Sequence, residues 1–132
     1  GHVGDSRVYR INDMLTVLTD DQTVVGREIK RGTLTPEQAK SDPRRNVLLQ
    51  CIGASRLVTP DFIYGKPSVG DVYMLCSDGF RHTLTEHEIF QAFAPQQLVN
   101  ETIMEQKVYD LIHLNMQRNE TDNISVLLIK IL

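Results

Sequence analysis

The sequence predicts an α+β domain, and three observations carry that prediction. Two short alternating segments flank Asn12-Asp13, which reads as a β-hairpin with a tight turn. A polar stretch with two helix-start signals follows, between Asp20 and Asn46. Late in the chain an amphipathic helical pattern leads into a final apolar run, Ile124-Ser-Val-Leu-Leu-Ile-Lys-Ile131. The resulting order is hairpin, helical insert, two strands, helices, strand; strands and helices are grouped rather than alternating, as α+β folds require.

Bulk properties narrow the function classes. The chain has 132 residues, a one-domain length, with 41% hydrophobic and 23% charged residues, which are ordinary values for a soluble globular protein. A net charge of −3 argues against broad nucleic-acid binding. No apolar run is long enough for a membrane helix, and the opening Gly-His-Val-Gly-Asp-Ser-Arg does not read as a signal peptide. Cys51 and Cys76 both sit among apolar neighbours, which favours two buried free thiols in a reducing compartment; a single bridge stays open. The chain begins without Met and inside a strand pattern, which suggests a fragment of something longer.

The elements follow in order. The first strand pattern, 2–11, contains Val3-Gly4-Asp5-Ser6-Arg7. An Asp inside a strand needs a partner, and an ion pair with a nearby Arg is one reading of Asp5. Asp20 to Thr23 starts a short helix that stops at Gly32. Thr35-Pro36-Glu37-Gln38 starts another, with Thr35 as N-cap, Pro36 in the first turn and an end before Pro43. After the apolar run 47–52, residues 58–66 read as a strand with Phe62 and Tyr64 on one side. Thr85-Glu-His-Glu88 is a capping box, and 97–117 keeps apolar residues at helical spacing, as in a helix that covers a sheet.

The chain centres on Val72-Tyr-Met-Leu-Cys-Ser-Asp-Gly-Phe80. Its apolar residues occupy both faces, as in a strand covered on each side, and it ends in an acidic turn. Asp78 alone reads more readily as a turn residue than as a ligand. Asp122 mirrors it at the entrance to the last strand, and Asp5 lies on the first. Should the three strands be neighbours, their carboxylates converge at one sheet edge, and an oxygen-only set suits Mg²⁺ or Mn²⁺. His82 and His87 read as surface or capping residues, although His82 is close to Asp78. No Gly-rich phosphate loop and no GxSxG elbow is present.

Six ordered stretches carry a resemblance. They are Val3-Gly-Asp-Ser-Arg-Val-Tyr9, Leu18-Thr-Asp-Asp-Gln22, Leu34-Thr-Pro-Glu-Gln-Ala39, Arg45-Asn-Val-Leu48, Gly70-Asp-Val-Tyr-Met-Leu-Cys-Ser-Asp-Gly79 and Thr121-Asp-Asn-Ile-Ser-Val126. Together they closely resemble the metal-dependent protein serine/threonine phosphatases of the type 2C family, in its bacterial branch. The resemblance implies part of a two-sheet β-sandwich of mostly antiparallel strands flanked by helices, with a Mg²⁺ or Mn²⁺ pair between the sheets. A metal-bridging water then attacks the phosphorus of phosphoserine or phosphothreonine in protein substrates. By position, Asp78 and Asp122 match ligands to a core ion, and Asp5 matches a ligand of a third ion. Residues 20–46 match the flap beside the active site. Gln22 stands where the family often has His, and Ser41-Asp42-Pro43 where His-Pro is common.

The family's phosphate-binding Arg and its Asp-Gly-x-Gly-Gly-His segment, with the metal-bridging Asp, do not occur here. The resemblance therefore implies that residues 1–132 are the C-terminal portion of one catalytic domain, lacking N-terminal strands and inactive alone. The expected setting is the bacterial cytoplasm, opposite serine/threonine kinases. The alternative is a non-catalytic phosphatase-like module that binds a protein partner. Exposed edges would favour a homodimer or strand exchange.

Overall fold

The computed structural model describes residues 1–132, which divide into two compact units. The larger unit comprises residues 7–18 and 64–132. Its four-stranded sheet contains β1 (Arg7–Ile11), β2 (Leu15–Val17), β3 (Val72–Cys76) and β4 (Val126–Lys130), in the order β2-β1-β3-β4. Every pairing is antiparallel. The hairpin turns at Asn12-Asp13, with Ile11 opposite Leu15.

β3 is the centre of this unit. Its partners are set by Cys76 opposite Arg7 on one side and Val126 on the other. Val72, Met74 and Cys76 are buried, together with Tyr9 and Ile11 of β1, so one sheet face makes the core. α3 (Asp78–Arg81), α4 (Glu86–Phe93) and α5 (Glu101–Gln117) belong to the same unit. They contribute Phe80, Ile89, Phe93 and Leu111 to that core. The rings of Phe80 and Phe93 stack with centroids 6.4 Å apart. Thr85 and Glu88 form the expected capping box of α4, and Asn100 caps α5 through the Ile103 amide.

The smaller unit comprises residues 1–6 and 19–63. It holds α1 (Val24–Lys30), capped by Thr23, and α2 (Pro36–Ser41), whose capping box joins Thr35 and Gln38 as the sequence predicts. Isolated bridges join His2 to Asp61 and Thr23 to Leu48.

Four expectations need correction. Residues 58–66 do not form a strand: Pro60 lacks a ladder donor, the segment pairs only through Asp61, and Phe62 and Tyr64 are exposed. The first strand begins at Arg7, because Gly4 adopts a left-handed φ of +101° that breaks extension. Asp5 therefore lies in a bend. Cys51 is exposed rather than buried; its N–H and carbonyl are used by a local turn with Ser55. Both thiols are free, and Cys76 is buried. Finally, β3 is covered on one face only within this chain, since Leu75 is 37% exposed.

Candidate metal centre

The site grows from the end of β3. Ser77 leaves the ladder in extended conformation and starts α3. Its N–H still donates to Ser125 O at 3.0 Å, and its hydroxyl donates to Asn123 O at 3.1 Å and accepts from Ser125 N–H at 3.0 Å. These bonds pin the 121–125 loop beside the strand end. Asp78 is the first residue of α3, and its Oδ1 accepts the Gly79 amide at 2.9 Å.

Gly79 is the joint between the two segments. It is buried, and a Cβ there would stand 2.5 Å from Asn123 O and 3.2 Å from Asp122 Cβ. No other residue type fits that spacing without moving backbone. Asp78 and Asp122 thus occupy abutting stretches of backbone in one unit, whereas Asp5 belongs to the other unit. Asp122 is exposed, with Oδ1 accepting the Asn123 amide at 2.7 Å.

Two further groups join these acids. His82 lies one helical turn after Asp78, with Nε2 3.7 Å from Asp78 Oδ2 and Nδ1 3.6 Å from Glu120 Oε2. Glu120 is nearly buried, and its Oε1 accepts the amides of Thr121 and Asp122 at 2.8 and 2.9 Å. Glu120 therefore shapes the turn that carries Asp122, while His82 spans the two acidic segments. Asn119, at φ 60°, turns the chain out of α5 into this loop. Behind α3, fully buried Asn115 donates to Phe80 O at 2.9 Å and accepts from the Thr83 hydroxyl at 2.5 Å, which holds α3 from below.

The sequence did not point to Glu120 or Asn115; His82 is exposed, as expected, and lies beside Asp78, to which its sequence position is close. The only signal for Glu120 was its position in the polar Asn119–Asn123 run; Asn115 looked like any polar residue of a helix. No three acids, histidines or cysteines of the chain are gathered closely enough to hold an ion by themselves. The donors at hand are hard carboxylate oxygens. Mg²⁺ is commonly held by one or two carboxylates while keeping several waters, so the Asp78–Asp122 pair fits part of such a site.

The larger unit is thus an antiparallel sheet with flanking helices, with Asp78 just after β3 and Asp122 before β4. No family model matches the chain. Among curated proteins, the phosphatase PhpP of Streptococcus pneumoniae is 32% identical over 130 residues, 97% of this chain and 50% of that protein. The serine/threonine phosphatase of S. agalactiae has a TM-score of 0.88 at 34% identity, over 99% of this chain and 52% of that one. The PstP catalytic domain, solved with two manganese ions, has a TM-score of 0.77 at 28% identity, over 96% of this chain and 50% of its own. By sequence and fold alike, the chain is similar to the bacterial type 2C protein serine/threonine phosphatases. It spans about half the length of these relatives.

Proposed function

We propose that residues 1–132 supply the C-terminal portion of a type 2C catalytic domain that hydrolyses phosphoserine and phosphothreonine in proteins. The observation that carries the reading is the close approach of Gly79 to Asp122 and Asn123, which leaves two carboxylates on abutting backbone. In this reading Asp78 and Asp122 hold one core Mg²⁺ or Mn²⁺, and Asp5 serves a third ion. An ion bound there supplies the lowered water pKa and the phosphate charge neutralisation that hydrolysis needs. The chain's own residues fix the geometry. Gly79 N–H orients the Asp78 carboxylate, Glu120 orders the turn under Asp122, and Ser77 ties the two segments together.

Two carboxylates in one unit are too few to hold two ions at the separation of about 3.5–4 Å that two-metal hydrolysis uses. The chain alone is therefore proposed to be inactive, with the bridging acid and the phosphate-binding Arg lying in the half of the relatives that it does not match. Residues 20–46 act as the flap, the substrates are phosphoproteins of serine/threonine kinases, and the setting is the cytoplasm. No helix of the chain is long and apolar enough to cross a membrane.

The second reading, a phosphatase-like module that binds a protein partner without catalysis, draws support from the lack of a gathered three-group cluster. Titrating Mn²⁺ into the chain separates them. The catalytic reading expects paramagnetic broadening of the Asp78, Gly79 and Asp122 amides, lost in Asp78→Asn. Uniformly sharp amides at those positions favour the module, and manganese-dependent hydrolysis of a phosphothreonine peptide by the chain alone would overturn the proposed inactivity.

A further inference from the structure

In the smaller unit, one side chain makes more cross-connections than its position in the sequence announces. Gln22 Oε1 accepts the Gly4 amide at 2.8 Å and the Gln50 side-chain amide at 2.9 Å. Its Nε2 donates to Asp61 Oδ2 at 2.8 Å. The Gln22 backbone adds two bonds, N–H to Gly4 O at 2.9 Å and O from Leu49 N–H at 2.8 Å. Gln50 continues the chain of bonds, donating to Thr59 O at 2.6 Å and accepting from Thr59 N–H at 2.8 Å. His2 and Asp61 exchange two backbone bonds, at 2.8 and 2.9 Å.

The consequence falls on Asp5. Gln22 holds both peptide groups of Gly4: its side-chain Oε1 accepts the N–H of the Val3–Gly4 peptide, and its backbone N–H donates to the C=O of the Gly4–Asp5 peptide. On the other side, Ser6 O accepts from His2 Nε2 at 2.7 Å. Gly4 is buried, and its left-handed φ leaves the bend no regular ladder to rely on. The bend that carries Asp5 is thus tied on one side by Gln22, through side chain and backbone together, and on the other by the His2 ring.

We infer that Gln22 is a positioning residue for Asp5: its side-chain carbonyl and backbone N–H together hold the two peptide groups of Gly4, and its side chain couples the Asp5 bend to Gln50 and Asp61. Only an amide of this length meets the demands. Two acceptor bonds use both lone pairs of the carbonyl oxygen, and the Asp61 carboxylate needs a donor. Glutamate keeps the acceptor but turns a second negative charge on Asp61. Asparagine is one methylene too short. Methionine keeps the shape and loses all three side-chain bonds. The metal role of Asp5 rests on the proposed function above; the clamp itself does not.

The test uses the whole chain and its Gln22→Met and Gln22→Glu variants, with Gln38→Ala as a control that opens the α2 capping box. Amide hydrogen exchange is read at Gly4 and at Arg27, whose N–H is bonded to Thr23 O within α1. Gln22→Met is expected to speed Gly4 exchange about tenfold or more, with Arg27 protection kept. Gln38→Ala should leave Gly4 unchanged. Unchanged Gly4 exchange in Gln22→Met, or equal loss of protection at Gly4 and Arg27, overturns the inference. Mn²⁺ broadening at Asp5 supplies the second readout, expected to weaken in Gln22→Met while that at Asp78 persists. Absence of broadening in the unaltered chain counts against the metal reading, and Gly4 exchange still decides the clamp.

Discussion

Gly79 and Asn123 stand so close that a single methyl on Gly79 would lie 2.5 Å from the Asn123 carbonyl oxygen. That oxygen is also the acceptor for the Ser77 hydroxyl, so it cannot retreat without weakening one of the bonds that tie the two acidic segments. Gly79→Ala should therefore act as an overpacking mutation, costing about 1–3 kcal/mol in chemical denaturation. Any Mn²⁺ broadening shared by Asp78 and Asp122 should fall with it. A variant with unchanged stability would show that the two segments are not held at this distance.

Asn115 supports the same helix from the core side. It is fully buried and serves Phe80 O and the Thr83 hydroxyl. Asn115→Leu matches the volume but leaves the buried Phe80 carbonyl without its donor, at a cost of about 1–3 kcal/mol, and takes the acceptor from the part-buried Thr83 hydroxyl. Because α3 begins at Asp78, the loss should appear as exchange broadening of the Asp78 and Gly79 amides, as well as in the denaturation midpoint. A midpoint shift confined to α5 resonances would contradict this role.

The Glu88–Arg118 pair gives a prediction in pH. Arg118 donates from both terminal nitrogens to Glu88 and also to Thr83 O, linking the start of α4 to the end of α5. The guanidinium, with help from the Thr85 backbone, lowers the Glu88 carboxyl from 4.5 to about 2. A carboxyl held low when folded stabilises fully above its unfolded value near 4.5, and that stability is lost as pH falls towards about 2. Arg118→Ala should lower the thermal midpoint at pH 7 and flatten its decline across that acid window. The pair is partly exposed, so the effect should shrink in high salt. An equal drop at pH 7 and at pH 2 would leave packing, not charge, as the cause.

Asp71 illustrates how far local pattern carries. Its carboxylate is almost buried, ion-paired with Arg10 at 2.8 Å, and the Ser68 amide and Arg10 hold it below the usual carboxylate range. Nothing in the Gly70-Asp71 turn announces Arg10, which is far away in sequence and becomes a neighbour only through the β1–β3 pairing. The caps at Thr35 and Thr85 were legible because they close within four residues. So were the hairpin and the acids at the ends of β3 and before β4. The aromatic alternation of Phe62 and Tyr64 misled, since a period of two predicts a strand only where a partner strand exists. Glu120 and Gln22 were opaque for a similar reason: His82 and Gly4, their respective partners, are reached only through the fold.

The outward face of the sheet leads to the last prediction. Pairing puts Val8, Leu75 and Leu127 in one cross-strand row and Tyr73 and Ile129 in the next. Leu75, Leu127 and Ile129 are 37%, 55% and 43% exposed. An antiparallel sheet with one apolar face in water needs a cover, and its two end strands, β2 and β4, keep open edges. Relatives about twice as long have further chain with which to supply that cover. In the isolated chain, another copy is the available partner, face to face or by strand exchange. Sedimentation should therefore detect a concentration-dependent dimer. Leu127→Lys should return it to monomer at a folding cost of no more than about 0.5 kcal/mol, because the site is on the surface. Strict monomer for the unaltered chain at high concentration would mean that this face tolerates water as it stands.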